Sequence, residues 1–185
     1  DPGEDRIDHG QPLLRRLWSE DEVVHHGGRF RLDGITVRPR PAQEAMDVWL
    51  GGQARSELRR VGRLGDGWLP SFCDAADVAT GIPVIEEAAA EAGRTIDPEH
   101  YGALVAYADA DQAVPDAFLA FVQKRRPDIT NPEQIIPRGH HGLRARLEEL
   151  IEVGASKFVV LPITEPTDWP GELEALAEAV LPLGS

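Results

Sequence analysis

Two adjacent glycines form the most chemically suggestive feature of the chain. Gly51 and Gly52 separate the apolar run 46–50 from the helical segment 56–63. Because glycine has no Cβ, the backbone can take positive φ there and let a ligand approach closely, while the first amides of the following helix stay unpaired. The positive end of the helix dipole favours an anion, so a phosphate fits this turn. Two glycines can equally form a tight turn that binds nothing, and residue types alone leave both interpretations open.

Two histidine pairs, His25-His26 and His140-His141, are the candidates for a metal site. Neighbouring histidines rarely bind one ion together, and neither pair has a nearby cysteine or the His-x-x-x-His spacing of zinc enzymes. We therefore predict no metal site. The sequence also lacks Gly-x-Gly-x-x-Gly, Walker and Gly-x-Ser-x-Gly motifs, so nothing supports a Rossmann enzyme, a nucleotide hydrolase or a serine hydrolase.

The composition is that of a folded, acidic domain. The 185 residues are 42% hydrophobic, so the chain can bury a core, and a single domain is expected for this length. The net charge of -13 argues against nucleic-acid binding, which needs clustered basic residues. Cys73 is the single cysteine, which excludes an intramolecular disulfide and favours a reducing, cytoplasmic location. The sequence contains neither a membrane span nor a signal peptide.

An alternation of strands and helices must position the glycine turn. The apolar spacing over 13–18 predicts a helix, and residues 26–43 predict a short hairpin followed by an extended proline arm. The predicted strands are 46–50, 66–70, 101–107 and 157–161, and the predicted helices are 56–63, 82–92, 115–125, 143–153 and 171–181. Apolar strands that alternate with helices are typical of a parallel sheet buried on both faces, so we predict an α/β fold with about four parallel strands.

One stretch resembles a known enzyme superfamily. Trp49-Leu50-Gly51-Gly52, followed by Gly65-Asp66-Gly67-Trp68, resembles the bacterial luciferase-like monooxygenase superfamily, in particular its deazaflavin-dependent oxidoreductases. Segments 14–30, 91–94 and 143–161 agree with the resemblance in order along the chain. The likeness therefore covers most of the sequence and strengthens the phosphate-binding interpretation of the glycine turn.

The resemblance implies a TIM (β/α)8-barrel-like fold of which this chain holds only the second half. The four predicted strands correspond to strands five to eight, so residues 46–185 form the C-terminal half of the barrel and residues 1–45 form a helix and a hairpin/proline connector. A full barrel takes about 250 residues, more than this chain provides. The sequence also begins at Asp1 rather than Met, and we expect it to be a truncated portion of a longer enzyme.

The resemblance also implies a cofactor site at the glycine turn. Members of the superfamily bind the phosphate of their cofactor there, which assigns the phosphate of the deazaflavin coenzyme F-420 (F420), or alternatively that of FMN, to Gly51, Gly52, Gln53 and Ala54. Backbone amides and the helix dipole would hold it. We expect Ser56 to cap the helix that follows.

The substrate pocket is expected where the barrel strands end. Ser71 and Phe72 are the best candidates, because a hydroxyl group and an aromatic face suit a flat ring with polar edges, although an ordinary loop explains them equally well. We assign no catalytic acid or base, because the acidic and basic candidates have no visible partner in the sequence. These candidates are Asp109, Glu165 and His140.

These expectations combine into a redox function. We expect hydride transfer between a deazaflavin or flavin cofactor and a small organic substrate, with the cofactor ring carrying the chemistry. No nucleic-acid or membrane partner is expected. The alternative is a non-catalytic half-barrel that serves as a dimerisation or partner-binding module. Four parallel strands leave two open sheet edges, and a second copy of the chain can pair with them to form a homodimer.

Overall fold

The computed structural model describes residues 2–184, with side chains from residue 6 onward. The elements are α1 (Pro2–Ser19), β1 (Val23–His26), β2 (Arg31–Ile35), β3 (Trp49–Leu50), α2 (Arg55–Leu64), β4 (Gly67–Trp68), α3 (Ala75–Glu91), β5 (Gly102–Tyr107), α4 (Asp116–Arg125), α5 (Gly139–Glu152), β6 (Lys157–Pro162) and α6 (Trp169–Val180). Short 3-10 helices lie at Pro98–His100, Pro132–Ile135 and Leu181–Gly184. Within this part of the chain, no helix is long and apolar enough to cross a membrane.

Four parallel strands form the centre of the fold. β3 pairs with β4, and β5 pairs with β6, each in parallel orientation. Parallel bridges at Trp68↔Tyr101 and Ser71↔Leu104 connect β4 to β5, so the strands follow one another in chain order. The predicted α/β class and the predicted set of four parallel strands are confirmed.

Two of these strands are shorter than the sequence predicted. Segments 46–50 and 66–70 each contribute only the two residues of β3 and β4. The backbone amide of Val48 donates to the carboxylate of Asp66 at 2.8 Å rather than to a strand carbonyl. Pro70 has no amide hydrogen to continue the ladder. Asp66 therefore has a structural role at the entry to β4, as its place in an Asp-Gly turn pair indicates.

Helix α3 begins seven residues earlier than the predicted helix 82–92. Asp74 caps it: the amide of Asp77 donates to the Asp74 side chain at 2.9 Å, and the amide of Asp74 donates to the Asp77 side chain at 3.0 Å. This reciprocal arrangement satisfies amides that open the helix. Gly81 and Pro83 interrupt the apolar pattern within the helix, which is why the sequence prediction placed the start too late.

The N-terminal helix α1 packs against α2. α1 extends well beyond the predicted 13–18. The side-chain amide of Gln11 donates to the carbonyl of Leu64 at 2.8 Å, and the carboxylate of Asp8 pairs with the buried guanidinium of Arg60 at 2.8 Å. A hairpin is present as the antiparallel pair β1 and β2, but its first strand begins at Val23, three residues before the predicted segment. The contacts of Gln11 and Asp8 join α1 to α2.

The main core lies between the sheet and helices α2, α3 and α5. Leu58 and Val61 of α2 are buried there beside Trp68. α2 and α3 approach so closely that a Cβ on Gly62 would lie 2.3 Å from the carbonyl oxygen of Ile85. Glycine is therefore required at this crossing, and the close contact fixes the orientation of α2, whose first turn follows the glycine turn.

Candidate functional site

The glycine turn lies between the end of β3 and the start of α2. Gly52 has a φ of 101°, a left-handed conformation that favours glycine. Its carbonyl accepts a hydrogen bond from the indole Nε1 of Trp68 at 2.9 Å. The side-chain amide of Gln53 donates to the carbonyl oxygen of Ser71 at 2.8 Å. The turn is thus fixed against the segment that follows β4.

Glu57 occupies two backbone amides of this turn. Its Oε2 accepts hydrogen bonds from the amides of Gln53 and Ala54, both at 2.9 Å. The expectation that Ser56 caps the helix is wrong: Ala54 holds the capping position but has no side-chain acceptor, and Glu57 satisfies the amides from three residues further on. The amides of the first turn of α2 have no partner within the helix, so they are the ones left for an anion.

A cleft of about 790 Å³ opens beside the turn. This volume is within the range of about 300–1,000 Å³ that is usual for small-molecule sites. The turn, the segment after β4, the inner face of β5 and β6, and helix α4 all contribute to its lining. The sequence-predicted residues that line it are Gly52, Gln53, Ala54, Ser71 and Phe72.

Gly51 is the one sequence-predicted site residue outside the lining of this cleft. A Cβ at this position would lie 3.3 Å from the carbonyl oxygen of Leu69. That distance is tighter than an ordinary van der Waals contact. Gly51 therefore allows the turn to pack against the backbone that follows β4.

Three phenylalanines form an aromatic wall of the cleft, here called the phenylalanine wall (Phe72, Phe118 and Phe121). The ring of Phe72 lies 6.0 Å from that of Phe118 and 5.7 Å from that of Phe121, both in edge-on geometry. Such geometry is favourable for aromatic pairs. Phe72 has a φ of 55°, which is unusual for a residue other than glycine. Backbone strain of this kind clusters at functional sites and persists only where the surroundings enforce it.

Arg126 contacts the backbone of Phe72. Its guanidinium donates a hydrogen bond to the carbonyl of Phe72. It also forms ion pairs with the carboxylates of Asp77 and Asp128, both at 2.8 Å. The side chain is buried, and the bonds to Asp128 and Asp77 raise the pKa of Arg126 despite its desolvation. The same bond to Arg126 holds the pKa of Asp128 below its usual value. In the sequence, Arg126 follows Lys124 and Arg125 at an ordinary basic helix end. Only its burial in the structure identifies it as a residue that supports the site.

Comparison with known proteins decides the family. A family model described as luciferase-like monooxygenase matches residues 12–172 of the chain, a span that includes the glycine turn, the phenylalanine wall and all four parallel strands. The chain belongs to the luciferase-like monooxygenase family. The resemblance found in the sequence is confirmed.

Relatives of this luciferase-like protein include F420-dependent enzymes. An F420-dependent glucose-6-phosphate dehydrogenase of Nakamurella multipartita is 27% identical over 94 residues, which are 50% of this chain and 27% of that protein. A 5,10-methylenetetrahydromethanopterin reductase of Methanopyrus kandleri is 30% identical over 117 residues, which are 60% of this chain and 34% of that protein. The matched regions thus span about a quarter to a third of the curated relatives.

Solved structures share the fold of this luciferase-like chain. An F420-dependent secondary alcohol dehydrogenase in complex with an F420-acetone adduct superimposes with a TM-score of 0.77 at 19% identity, covering 98% of this chain and 62% of that one. The coenzyme F420 dependent tetrahydromethanopterin reductase from Methanopyrus kandleri gives a TM-score of 0.71 at 18% identity, covering 98% and 64%. At these identities the likeness establishes the fold alone.

A second polar cluster of the luciferase-like chain lies at the end of β5, outside the lining of the cleft. Glu172 accepts hydrogen bonds from the hydroxyl of Tyr107 at 2.5 Å and from the Nε2 of His140 at 2.8 Å. The bond from Tyr107 holds the pKa of Glu172 below its usual value, and burial raises the pKa of Tyr107. His140 therefore has the partner that the sequence did not reveal. No local signal could have revealed it, because Glu172 follows 32 residues later.

The other polar candidates lie apart from the cleft lining. Asp109 accepts a hydrogen bond from the amide of Asp111 at 2.9 Å, which is a local turn contact, and Glu165 is exposed. His26 lies 2.5 Å from the carboxylate of Asp33 across the hairpin. From residue 6 to residue 184, no group of three or more metal-ligating side chains is placed to hold an ion.

Proposed function

We propose that this chain is the cofactor-binding part of an F420-dependent oxidoreductase that moves hydride between the deazaflavin and a small organic substrate. The proposal rests on one observation: residues 52–54 of the turn line the same ligand-sized cleft as Ser71 and Phe72. F420-dependent relatives support the deazaflavin, and FMN stays the alternative. When bound, the cofactor would supply the hydride acceptor or donor.

The geometry of the turn fits a phosphate. The first amides of α2 lack intrahelical partners, and the positive end of the helix dipole lies beside the cleft. Gly52 has no Cβ to fill the turn, and Trp68 fixes its carbonyl by a hydrogen bond of 2.9 Å. In this proposal the first amides of α2 bind and orient the phosphate beside the turn, while the phenylalanine wall excludes water from the cleft.

We further propose that β3, β4, β5 and β6 are strands five to eight of the barrel. Their parallel order along the chain supports this assignment, since consecutive strands of such a barrel are parallel neighbours. In this proposal the rest of the pocket comes from the strands that complete the barrel. Catalytic acids and bases are therefore not assigned to this chain.

The test is phosphate-dependent binding of the cofactor to the 185-residue chain. Fluorescence titration compares F420 and FMN with riboflavin, which has the ring of FMN without its phosphate. We expect FMN and F420 to bind more tightly than riboflavin. Gly52→Ala should abolish that preference, because the new Cβ would lie 2.6 Å from the carboxylate of Glu57.

Gly28→Ala is the matched control, since a Cβ at that position meets nothing within 4 Å. This variant should retain the preference for FMN over riboflavin. Circular dichroism checks that both variants fold. Equal affinity of the parent chain for FMN and riboflavin would contradict a phosphate site at the turn.

A second candidate function is suggested by β6. This strand pairs with β5 along one edge, and Val159 in its middle is 44% exposed. An exposed apolar strand edge favours pairing with another chain. In this alternative the chain is a non-catalytic half-barrel that forms a homodimer or binds a partner. Sedimentation decides: a dimer that does not bind F420 or FMN favours the alternative, and a well-folded monomer contradicts the dimer.

A further inference from the structure

The acidic groups that line the cleft are all engaged by the protein itself. Glu57 accepts hydrogen bonds from two backbone amides of the turn. Asp77 and Asp128 both pair with Arg126, so the positive charge of that guanidinium is compensated within the protein. None of these carboxylates requires a cation from a ligand. Of the ionic side chains that line the cleft, one has no ionic or hydrogen-bonding partner among the described residues.

That side chain is Arg125, at the end of α4. It lines the cleft and is exposed, and no carboxylate among residues 6–184 lies within ion-pair distance of it. Its guanidinium lies over the ring of Phe121, 5.4 Å from the ring centroid. This cation–π contact orients the guanidinium without neutralising its charge. The chain as a whole has a net charge of -13, so a cation without a carboxylate partner in a ligand-sized cleft is a candidate binding group for an anionic ligand.

The phenylalanine wall gives this cation an apolar neighbourhood. Phe121 is 44% exposed, although its ring also lies 6.4 Å from that of Phe118. A partly exposed aromatic cluster of this kind provides a surface for a planar or apolar ligand. Phe121 both contacts the guanidinium of Arg125 and forms part of the aromatic surface.

We propose that Arg125 anchors the anionic group, a carboxylate or a phosphate, of a ligand whose planar or apolar part packs on the phenylalanine wall. The inference rests on the proposed function in taking the cleft as the ligand site, and it adds a second anion position apart from the glycine turn. The anion belongs either to the substrate or to the acidic portion of the cofactor. The guanidinium recognises both through the same charge-assisted hydrogen bonds.

The first experiment uses two probes with the same naphthalene ring, 2-naphthoate, whose carboxylate is charged, and 2-naphthalenemethanol, whose hydroxymethyl group is neutral. Their affinities for the 185-residue chain are measured by fluorescence titration. We expect the parent to prefer naphthoate by about tenfold, as one charge-assisted hydrogen bond allows. Arg125→Gln should reduce this ratio to near one.

Lys124→Gln provides the matched control. It removes the same charge from the adjacent exposed residue, which does not line the cleft, and it should keep the parent ratio. Phe121→Ala should weaken binding of both probes, because both lose the aromatic surface. Circular dichroism of each variant confirms that the fold is retained.

The second experiment identifies the source of the anion. F420 is titrated against the parent, Arg125→Gln and Lys124→Gln. Loss of the naphthoate preference alone assigns Arg125 to the substrate, and a loss of F420 affinity in Arg125→Gln but not in Lys124→Gln assigns it to the acidic portion of the cofactor; both results support the anchor. If Arg125→Gln changes neither the naphthoate preference nor the F420 affinity, the proposal is overturned. Gly52→Ala tests the turn separately, so failure of the anchor and failure of the phosphate site give different patterns.

Discussion

Gly52 and Glu57 are so close that a Cβ on the glycine would lie 2.6 Å from the carboxylate carbon of the glutamate. The absence of a side chain at one residue is what allows the carboxylate of the other to reach the amides of Gln53 and Ala54. The turn is therefore preorganised by an internal anion. A phosphate that binds the first turn of α2 must approach this negative charge.

Replacing Glu57 tests this relationship. Glu57→Gln keeps an oxygen that can accept from the turn amides but removes the charge, so the preference for FMN over riboflavin should rise severalfold. Like charges a few ångströms apart in a solvated site repel by about 1 kcal/mol. The measurement is the ratio of the two dissociation constants by fluorescence titration.

Glu174→Gln is the control for that change, because it removes the same charge from an exposed position on α6. It should leave the FMN-to-riboflavin ratio unchanged. A ratio that falls in Glu57→Gln would show that the charge of Glu57 supports anion binding, contrary to this prediction.

Arg126 should be essential for stability. Arg126→Met leaves the carboxylate of Asp77, which is only 27% exposed, without its cation. We expect a loss of about 2–3 kcal/mol in the free energy of unfolding, somewhat less than for a fully buried pair. Urea denaturation measures it. Asp128→Asn, at a carboxylate that is 62% exposed, should cost less than about 1 kcal/mol. Equal losses in the two variants would contradict the assigned role.

The hydrogen bond between Tyr107 and Glu172 should contribute to stability only between two pH limits. Because this bond lowers the pKa of Glu172 from 4.5, its contribution is present above about pH 4.5 and is lost as the pH falls through the folded-state pKa. Because burial raises the pKa of Tyr107 above 10, the contribution is also lost as the pH rises beyond 10.

Tyr107→Phe should therefore be less stable than the parent by about 1 kcal/mol at neutral pH, and the difference should shrink at both extremes. The measurement is urea denaturation at a series of pH values. Tyr101→Phe is the control, because the buried hydroxyl of Tyr101 has no hydrogen-bond partner in the part of the chain that the structure describes. It should cause no loss at neutral pH. A pH-independent difference for Tyr107→Phe would refute the prediction.

The crossing of α2 and α3 depends on Gly62. Gly62→Ala places a Cβ 2.3 Å from the carbonyl oxygen of Ile85, so the helices must separate. We expect a destabilisation of about 1–3 kcal/mol, the usual cost of overpacking, even though alanine is the better helix former. Thermal unfolding measures it, with Gly28→Ala as the neutral comparison. An unchanged melting temperature would show that the helices can move apart freely.

The sequence by itself determined the alternation of helices and parallel strands and the position of the glycine turn. These features depend on apolar periodicity and on glycine, which act over short stretches of chain. The pattern Gly51-Gly52 with Asp66-Gly67-Trp68 was also sufficient to indicate the family. The predicted strand lengths and helix starts were less accurate. The side chain of Asp66 binds the amide of Val48, which the local pattern assigns to a strand, and the side chain of Asp74 binds the amide of Asp77 and so starts α3 earlier than the pattern indicates.

Only the tertiary structure decided which side chains act together. Phe72 and Phe118 meet although 46 positions separate them in the numbering, and Tyr107 reaches Glu172 across 65 residues. Such pairs carry no sequence signature, because their contact follows from how the helices pack on the sheet. The same is true of charge: Arg125 and Arg126 both line the cleft, but Asp77 and Asp128 pair with Arg126, whereas no carboxylate among residues 6–184 pairs with Arg125.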